Sequence, residues 1–424
     1  MRFIFQFIIF FLISIISANT HFIRCGIHQE LDNPNGFRSR PNMDTYAPSP
    51  SGKFYIHYDY QGQNAPNLVD ENNNGFPDYI DEVGIAADYV DSMLVSVLNY
   101  LPVVPDDDQK YDIYVKDMGQ GYYGVNYLDL DLEGNQTGSS YILIDNEYEE
   151  GEYYTFGIEA MKITVAHEYF HAIQRSYRLQ FNSETLYLYE MSSTWIEDVI
   201  YPEINDYIDS GWLLSFYSNP IQNISDTDGY SIALYAHYLT SVIENKDNLE
   251  SSIIRQIWEQ FSIYNDAHYS LNLVLENNYS TMFMNTWLDF CMRNLYNGIY
   301  SNMNNDFYYY SDQINAIPIE INNFNNLDDL VNIEQALVDE SVYINAFNLP
   351  DFDFFINIEN WDENILGNIV VEPEIIDQNS HSYIIEAEDL SYHYLDDHKS
   401  RIYLFAGSDT QSVLNYTLST HQFE

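Results

Sequence analysis

Thr164-Val165-Ala166-His167-Glu168-Tyr169-Phe170-His171-Ala172-Ile173-Gln174 sits in a run from about Ile158 to Tyr177 whose apolar residues return at helical spacing. In a helix, residues four apart leave the same face one turn apart, so His167 and His171 present their imidazoles side by side. That spacing suits two neutral histidine nitrogens binding one Zn²⁺ at roughly 2.0–2.1 Å. Glu168 follows about 100° further round the helix. It can reach a water on the metal without ligating the metal, as a general base must.

A catalytic zinc takes three protein ligands and keeps one open position. A carboxylate third ligand is expected on a following helix. YLYEMSSTWIEDVIY (187–201) is helix-like, with Met191, Thr194, Trp195 and Asp198 in helical spacing. It places Glu190 nineteen residues after His171, since 190 − 171 = 19. His167, His171 and Glu190 are therefore the expected zinc ligands, with Glu168 as the base.

Upstream of the helix, Phe54 to Tyr60, YDIYVKDM (111–118) and SYILIDN (140–146) read as strands. Ile80, Val83, Ala86, Val90, Met93, Val97 and Leu98 form an amphipathic helical stripe. From 229 to 295 the pattern is helical again. From about 320 the period changes to two: VYINAF, DFFINI, NIVVEP, SYIIEA, RIYLFAG and VLNYTLS are short β-runs between polar turns. Such a series predicts a small β-sandwich after the helical part.

MRFIFQFIIFFLISIISANT reads as a secretory signal peptide over residues 1–18: Arg2, an apolar stretch shorter than a membrane span, then small Ser17 and Ala18. The expectation is an exported, secreted or cell-surface protein with no stable membrane insertion after cleavage. Residues 19–51, rich in Asn, Pro and Ser, read as an N-terminal arm or short pro-segment. The two cysteines, Cys25 and Cys291, are compatible with one long-range bridge or with two free thiols. Over three residues, Arg24-Cys25-Gly26 also resembles the pro-segment thiolate that caps zinc in some latent metalloproteases.

A second metal is expected over Asp70–Asp81. Counting Asp70 as position 1, Asp70, Asn72, Asn74, Asp78 and Asp81 fall at 1, 3, 5, 9 and 12. Gly75 is at 6, and Phe76 would offer its carbonyl at 7. This is the ligand spacing of an EF-hand-type Ca²⁺ loop, with Asp in place of Glu at the last position. A solvated Asx-rich turn opening the next helix accounts for the same composition.

The chain carries 15 Lys+Arg against 65 Asp+Glu, a net charge of −50. That balance argues against a nucleic-acid partner, which needs clustered cations to displace phosphate counterions. Hydrophobic residues at 46% and aromatics at 16% argue against disorder. A folded, monomeric protein is expected, with most of its acidic excess on the surface.

HEYFH-x18-Glu resembles the gluzincin metallopeptidases. VDENNNGFPDYIDE, SSYILIDNEY, VAHEYFHAIQ, EMSSTWIEDVIY and WLDFCMRNLYNG together resemble a family of secreted bacterial zinc metalloproteases of that type, over about residues 52–300. The resemblance implies an α+β zincin-like catalytic domain over 52–315. It would hold a mixed sheet, an active-site helix and a helical subdomain, followed by the all-β sandwich-like accessory domain over 320–424. It also implies that Glu197, seven after Glu190, orients a ligand histidine, and that a Tyr or His donates to the oxyanion. Tyr230 and His237 are the candidates. SYILIDN would be either the sheet edge that takes substrate as an added strand or an internal strand. The implied activity is a zinc endopeptidase acting on protein or peptide substrate, in which metal-activated water attacks the scissile carbonyl. The Gly-Ala-Met-Glu-Asn signature of M1-like aminopeptidases is absent, GIEAM (157–161) being a poor match. Such an aminopeptidase, or a non-catalytic metal-binding adhesin or binding module, is the alternative.

Overall fold

The protein, seen in a computed structural model, is a mixed α/β chain with a C-terminal all-β region. The described residues are 23–26, 39–119, 122–129, 137–179, 181–209, 212–217, 219, 222–296, 322–324, 330–349, 354–359, 361–362, 364–373, 382–386, 393–395 and 399–422. The expected signal peptide lies outside them, as does the expected junction at 315–320. Among the described residues no helix is long and apolar enough to cross a membrane.

Six strands form the first sheet: β1 (Ile23–Cys25), β2 (Thr45–Pro48), β3 (Phe54–Tyr58), β4 (Tyr111–Val115), β5 (Tyr122–Leu128) and β6 (Ser140–Ile144). Their order is β1-β5-β6-β4-β3-β2, with β5–β6 and β3–β2 antiparallel and the other neighbours parallel. β4 and β6 are buried on both faces, as expected of internal strands that are apolar apart from Asp112 and Ser140. β3 buries only alternate residues, Phe54, Ile56 and Tyr58. β5 carries Gly124 and Asn126, poor strand formers, so hydropathy alone does not signal it. SYILIDN is an internal strand, because β6 is hydrogen-bonded to β5 on one side and β4 on the other. The sheet edge nearest the histidine helix belongs to β5, and it is covered by β1, drawn from the arm before residue 52.

α1 (Asp78–Asp91) runs into a π-helical turn, Ser92–Val97. The wider turn shifts the apolar stripe by one position. Leu94 and Leu98 are buried, while Val97, expected on the stripe, is exposed. α2 (Gly157–Tyr177) is the histidine helix, and from Ala160 onward all but Lys162 is buried. It is enclosed by β5, β6, α1 and α3 (Leu186–Ile200), which is why its amphipathicity is weak despite its length. Then come α4 (Ala233–Tyr238), α5 (Ile253–Tyr264), α6 (Ala267–Tyr279) and α7 (Phe283–Arg293).

The C-terminal region packs two sheets face to face. One has four strands in the order β13 (His393–Leu395), β10 (Phe354–Glu359), β15 (Ser412–Gln422), β8 (Leu330–Leu337). The other has five: β12 (Tyr383–Glu386), β11 (Leu366–Pro373), β14 (Lys399–Ser408), β9 (Ser341–Asn348), β7 (Asn322–Phe324). Strand alternation divides the run Ile402-Tyr403-Leu404-Phe405. Ile402 and Leu404 enter the core between the sheets, with Ile369, Tyr416 and Leu418. Tyr403 and Phe405 face the other way and join the core that holds Met284 and Trp287 of α7. The β region is therefore docked on the helical part by one sheet face. Gly407 sits so close to α7 that an added Cβ would fall 2.4 Å from Met284 Cε.

Phe405→Ala is expected to remove about 3–5 kcal/mol of stability by leaving a cavity in that docked face. Urea unfolding followed by tryptophan fluorescence measures it, and an unchanged midpoint would contradict the docking.

Candidate metal centre

α2 carries His167, Glu168 and His171 inward, towards α3. It can approach the sheet there because β5 has Gly124 beneath it: an added Cβ would fall 2.7 Å from Thr164 Cγ2 and 3.0 Å from Glu168 Cγ. α3 presents Glu190 and Glu197, seven residues and two turns apart, on the face that meets α2. His167 Nε2 lies 3.1 Å from Glu190 Oε2 and 3.1 Å from His171 Nε2. His171 Nε2 is 3.7 Å from Glu190 Oε2. The sulfur of Cys25 completes the group, 3.3 Å from His171 Nε2 and 3.6 Å from Glu168 Oε2. One donor atom from each of Cys25, His167, His171 and Glu190 lies within 4.8 Å of all the others, and all four residues are buried.

The outer nitrogens of both imidazoles are engaged. His167 Nδ1 donates to Glu197 Oε1 at 2.6 Å. His171 Nδ1 donates to Gln174 Oε1 at 2.7 Å, with Ser193 Oγ at 3.2 Å. Gln174 is itself fixed, its amide donating to Tyr189 O, Ser192 Oγ and Ser193 Oγ. Protons held on the Nδ1 atoms leave the Nε2 lone pairs facing inward. Two imidazole lone pairs, a carboxylate oxygen and a sulfur then meet in a dry interior, where unpaired donors are costly. A cation relieves that convergence. The separations among His167 Nε2, His171 Nε2 and Glu190 Oε2, 3.1, 3.1 and 3.7 Å, bracket the edge of about 3.3–3.4 Å of a tetrahedron with bonds of 2.0–2.1 Å.

Burial pushes the Glu168 carboxyl well above the usual carboxylate range, and the charge on Glu190 adds to the push; Cys25 and Arg175 oppose it. Glu190 is raised by burial and held back by its bonds to His167 and Tyr230. Tyr230, at the start of the turn before α4, stacks on His167 with ring centroids 5.9 Å apart. Burial and the neighbouring Glu190 keep its hydroxyl protonated far into the alkaline range. Gly229 makes this approach possible: φ is +81°, and an added Cβ would fall 2.5 Å from Glu190 Cβ.

His237 belongs elsewhere. Seven residues beyond Tyr230, it lies close to Tyr207, Asp198 and Asn248 at 3.3–3.5 Å, and burial lowers its pKa to about 3. It ties helices together and is not in the donor cluster. Neither cysteine is in a disulfide; both are buried thiols, Cys291 in α7 and Cys25 in the donor cluster. Sequence reading left Cys25 a three-residue likeness, because its 142-residue separation from His167 (167 − 25 = 142) hides their proximity.

The Asp70–Asp81 loop folds as a chain of Asx turns. Asp70 accepts from Asn74 N and Gly75 N, Asn72 Oδ1 from Asn74 N, and Asn74 Oδ1 from Phe76 N. The amides of Asn72 and Asn74 both donate to Asp81 Oδ2, at 2.9 and 2.7 Å. Asp78 turns back to accept from Glu71 N. Gly75 has φ +94°, the conformation a sharp loop needs at that point. Asp78 and Asp81 also lie in the first turn of α1, where negative charge complements the helix dipole.

No family model matches the chain, and no curated protein does. Among solved structures, the pre-peptidase C-terminal domain of a collagenase from Bacillus anthracis is similar to part of the chain. The identity is 16%, over 24% of this chain and 95% of that one, with a TM-score of 0.16.

Glu197→Gln and Gln174→Ala should each weaken metal binding about 10–100-fold, by loosening one histidine. Competition with a chromophoric chelator measures the affinity, and unchanged values would show that these partners do not orient the ligands. For the Asx loop, added calcium should raise the melting temperature and EGTA should reverse the gain. A melt indifferent to both would leave the loop a plain helix-opening turn.

Proposed function

We propose that the chain is an exported zinc-dependent endopeptidase with a zincin-like catalytic unit and a β-sandwich accessory domain. The observation that carries this reading is the convergence of His167, His171 and Glu190 with Glu168 beside the fourth donor position. Two imidazoles and a carboxylate are a donor set that zinc accepts in catalytic sites. When bound, the ion supplies Lewis-acid activation of a water and of the scissile carbonyl.

The chain's own residues do the rest. Glu197 and Gln174 hold the two imidazoles in the tautomer that turns the Nε2 lone pairs towards the ion's position. Glu168, beside the fourth donor position, takes the proton of the attacking water and returns it to the leaving amine. Tyr230, kept neutral, donates its hydroxyl hydrogen to the oxyanion that develops on the carbonyl. The edge of β5 beside the centre is covered by β1; freed of that strand, it would orient an extended polypeptide by backbone hydrogen bonds. That geometry favours an endopeptidase over an aminopeptidase.

A second reading rests on Cys25. Four protein donors make a closed site, the hallmark of structural zinc. The protein would then be a metal-stabilised binding module.

Metal analysis should find one zinc at this centre. With Cys25 replaced by Ala to open the fourth position, casein hydrolysis should appear. Glu168→Gln in the same background should lower it about 10²–10⁴-fold with zinc retained. Bound zinc without turnover of casein or of aminoacyl anilides would favour the binding module; turnover of anilides alone would indicate an aminopeptidase. Tyr230→Phe should lower kcat about 10²–10³-fold with KM little changed.

A further inference from the structure

We infer that β1 is an intramolecular cap: Cys25 occupies the fourth donor position and β1 the adjoining sheet edge, holding the site closed until the strand is displaced. The inference rests on the reading of His167, His171 and Glu190 as zinc ligands.

Two independent features place the strand there. The first is register. β1 adds to β5 in parallel, pairing Ile23 with Tyr122 and Cys25 with Gly124, and Gly26 N donates to Gly124 O at 3.0 Å. Gly124 is the residue over which Glu168 packs, so this register delivers the sulfur to 3.3 Å from His171 Nε2 and 3.6 Å from Glu168 Oε2. A slip of one residue would turn the Cys25 side chain to the other face of the sheet. The second is the close approach at Gly26. An added Cβ there would fall 2.6 Å from Val125 Cγ2, so only glycine lets the chain lie against β5 immediately after the cysteine.

Both things a peptide substrate would need are taken together: the backbone hydrogen bonds of the β5 edge and the open position on the ion. Glu168 is engaged as well, accepting from the Cys25 thiol. On coordination the sulfur would give up its proton to Glu168, retain the pair of the broken S–H bond as a lone pair, and share a lone pair with the ion. On release the sulfur would take the proton back from Glu168 and a water would take its place, so no oxidant or reductant is required. Residues after the cap have their own anchors. Arg40 pairs with Asp106, Asp112 and Asp129, and β2 is bonded to β3. β1 can therefore leave without unravelling the sheet from β2 onward.

The test uses the full chain loaded with Co²⁺ in place of zinc, so that ligation is read by absorption and not only by turnover. Wild type should show thiolate-to-metal charge transfer, lost in Cys25→Ser and retained in Cys291→Ser. Gly26→Val should also lose it, because the strand is pushed off Val125 with the thiol intact. Acetohydroxamate, which binds an open metal position, should perturb the spectra of Cys25→Ser and Gly26→Val and leave wild type unchanged. With zinc, casein hydrolysis should rise in both variants; if wild type is open for about 1% of the time, the rise is about 100-fold. A wild-type spectrum without charge transfer would overturn the cap. So would a Cys25→Ser protein that loses its metal, since that marks a permanent structural ligand, or a wild type as responsive to hydroxamate as the variants. If the spectra behave as expected and no protein hydrolyses casein, the cap stands and the peptidase reading falls.

Discussion

Two histidine nitrogens facing each other at 3.1 Å inside a dry core form the constraint around which the rest of this molecule is arranged. In water such a pair would part. Here the backbone of one helix fixes the spacing, and each ring is held from behind, one by Glu197 and the other by Gln174. Bringing Glu190 and the Cys25 sulfur to the same point adds further electron pairs to a place with no solvent to screen them. Hydrogen bonds inside the cluster offset part of the desolvation cost, and a bound cation would offset more, coupling the stability of the centre to metal. Truncating a histidine would therefore act on folding and on metal affinity together.

The enclosing architecture follows from that requirement. α2 is buried nearly all round, which a solvent-facing helix would not be, because the sheet lies on one side and α1, α3 and α5 on the others. Glycine is used where backbones must come closest: Gly124 beneath Glu168, Gly229 against Glu190, Gly407 against Met284. The C-terminal sandwich shares its apolar face with α7, at the far end of the same continuous core, so it contributes to the stability of the helical part and not only to its own.

The acidic balance of −50 acquires a more specific meaning beside this geometry. Glu168, Glu190 and Glu197 are buried at the centre, and a bound divalent ion would offset two of their charges. Asp70, Asp78 and Asp81 lie in the exposed Asx loop at the opening of α1. These six are a small part of 65 acidic residues; salt would weaken the self-repulsion of those that face solvent.

Helix α2, the one-turn spacing of His167 and His171, the position of Glu190 two turns before Glu197 and the two-residue period of the C-terminal strands were all legible in the chain, because each is a local regularity that one element carries within itself. Tyr230 could be named only among candidates, and His237 with it, since the direction in which a turn points a side chain depends on what it packs against. β5 was hidden by Gly124 and Asn126, residues with poor strand propensity that serve close packing and buried hydrogen bonds. The internal place of β6, the covering of β5 by β1 and the arrival of Cys25 at the histidines were decided by tertiary structure alone. Strand order and long-range register are properties of the assembled sheet, set by which faces can be buried together, and no local pattern around residue 25 encodes its distance from residue 171.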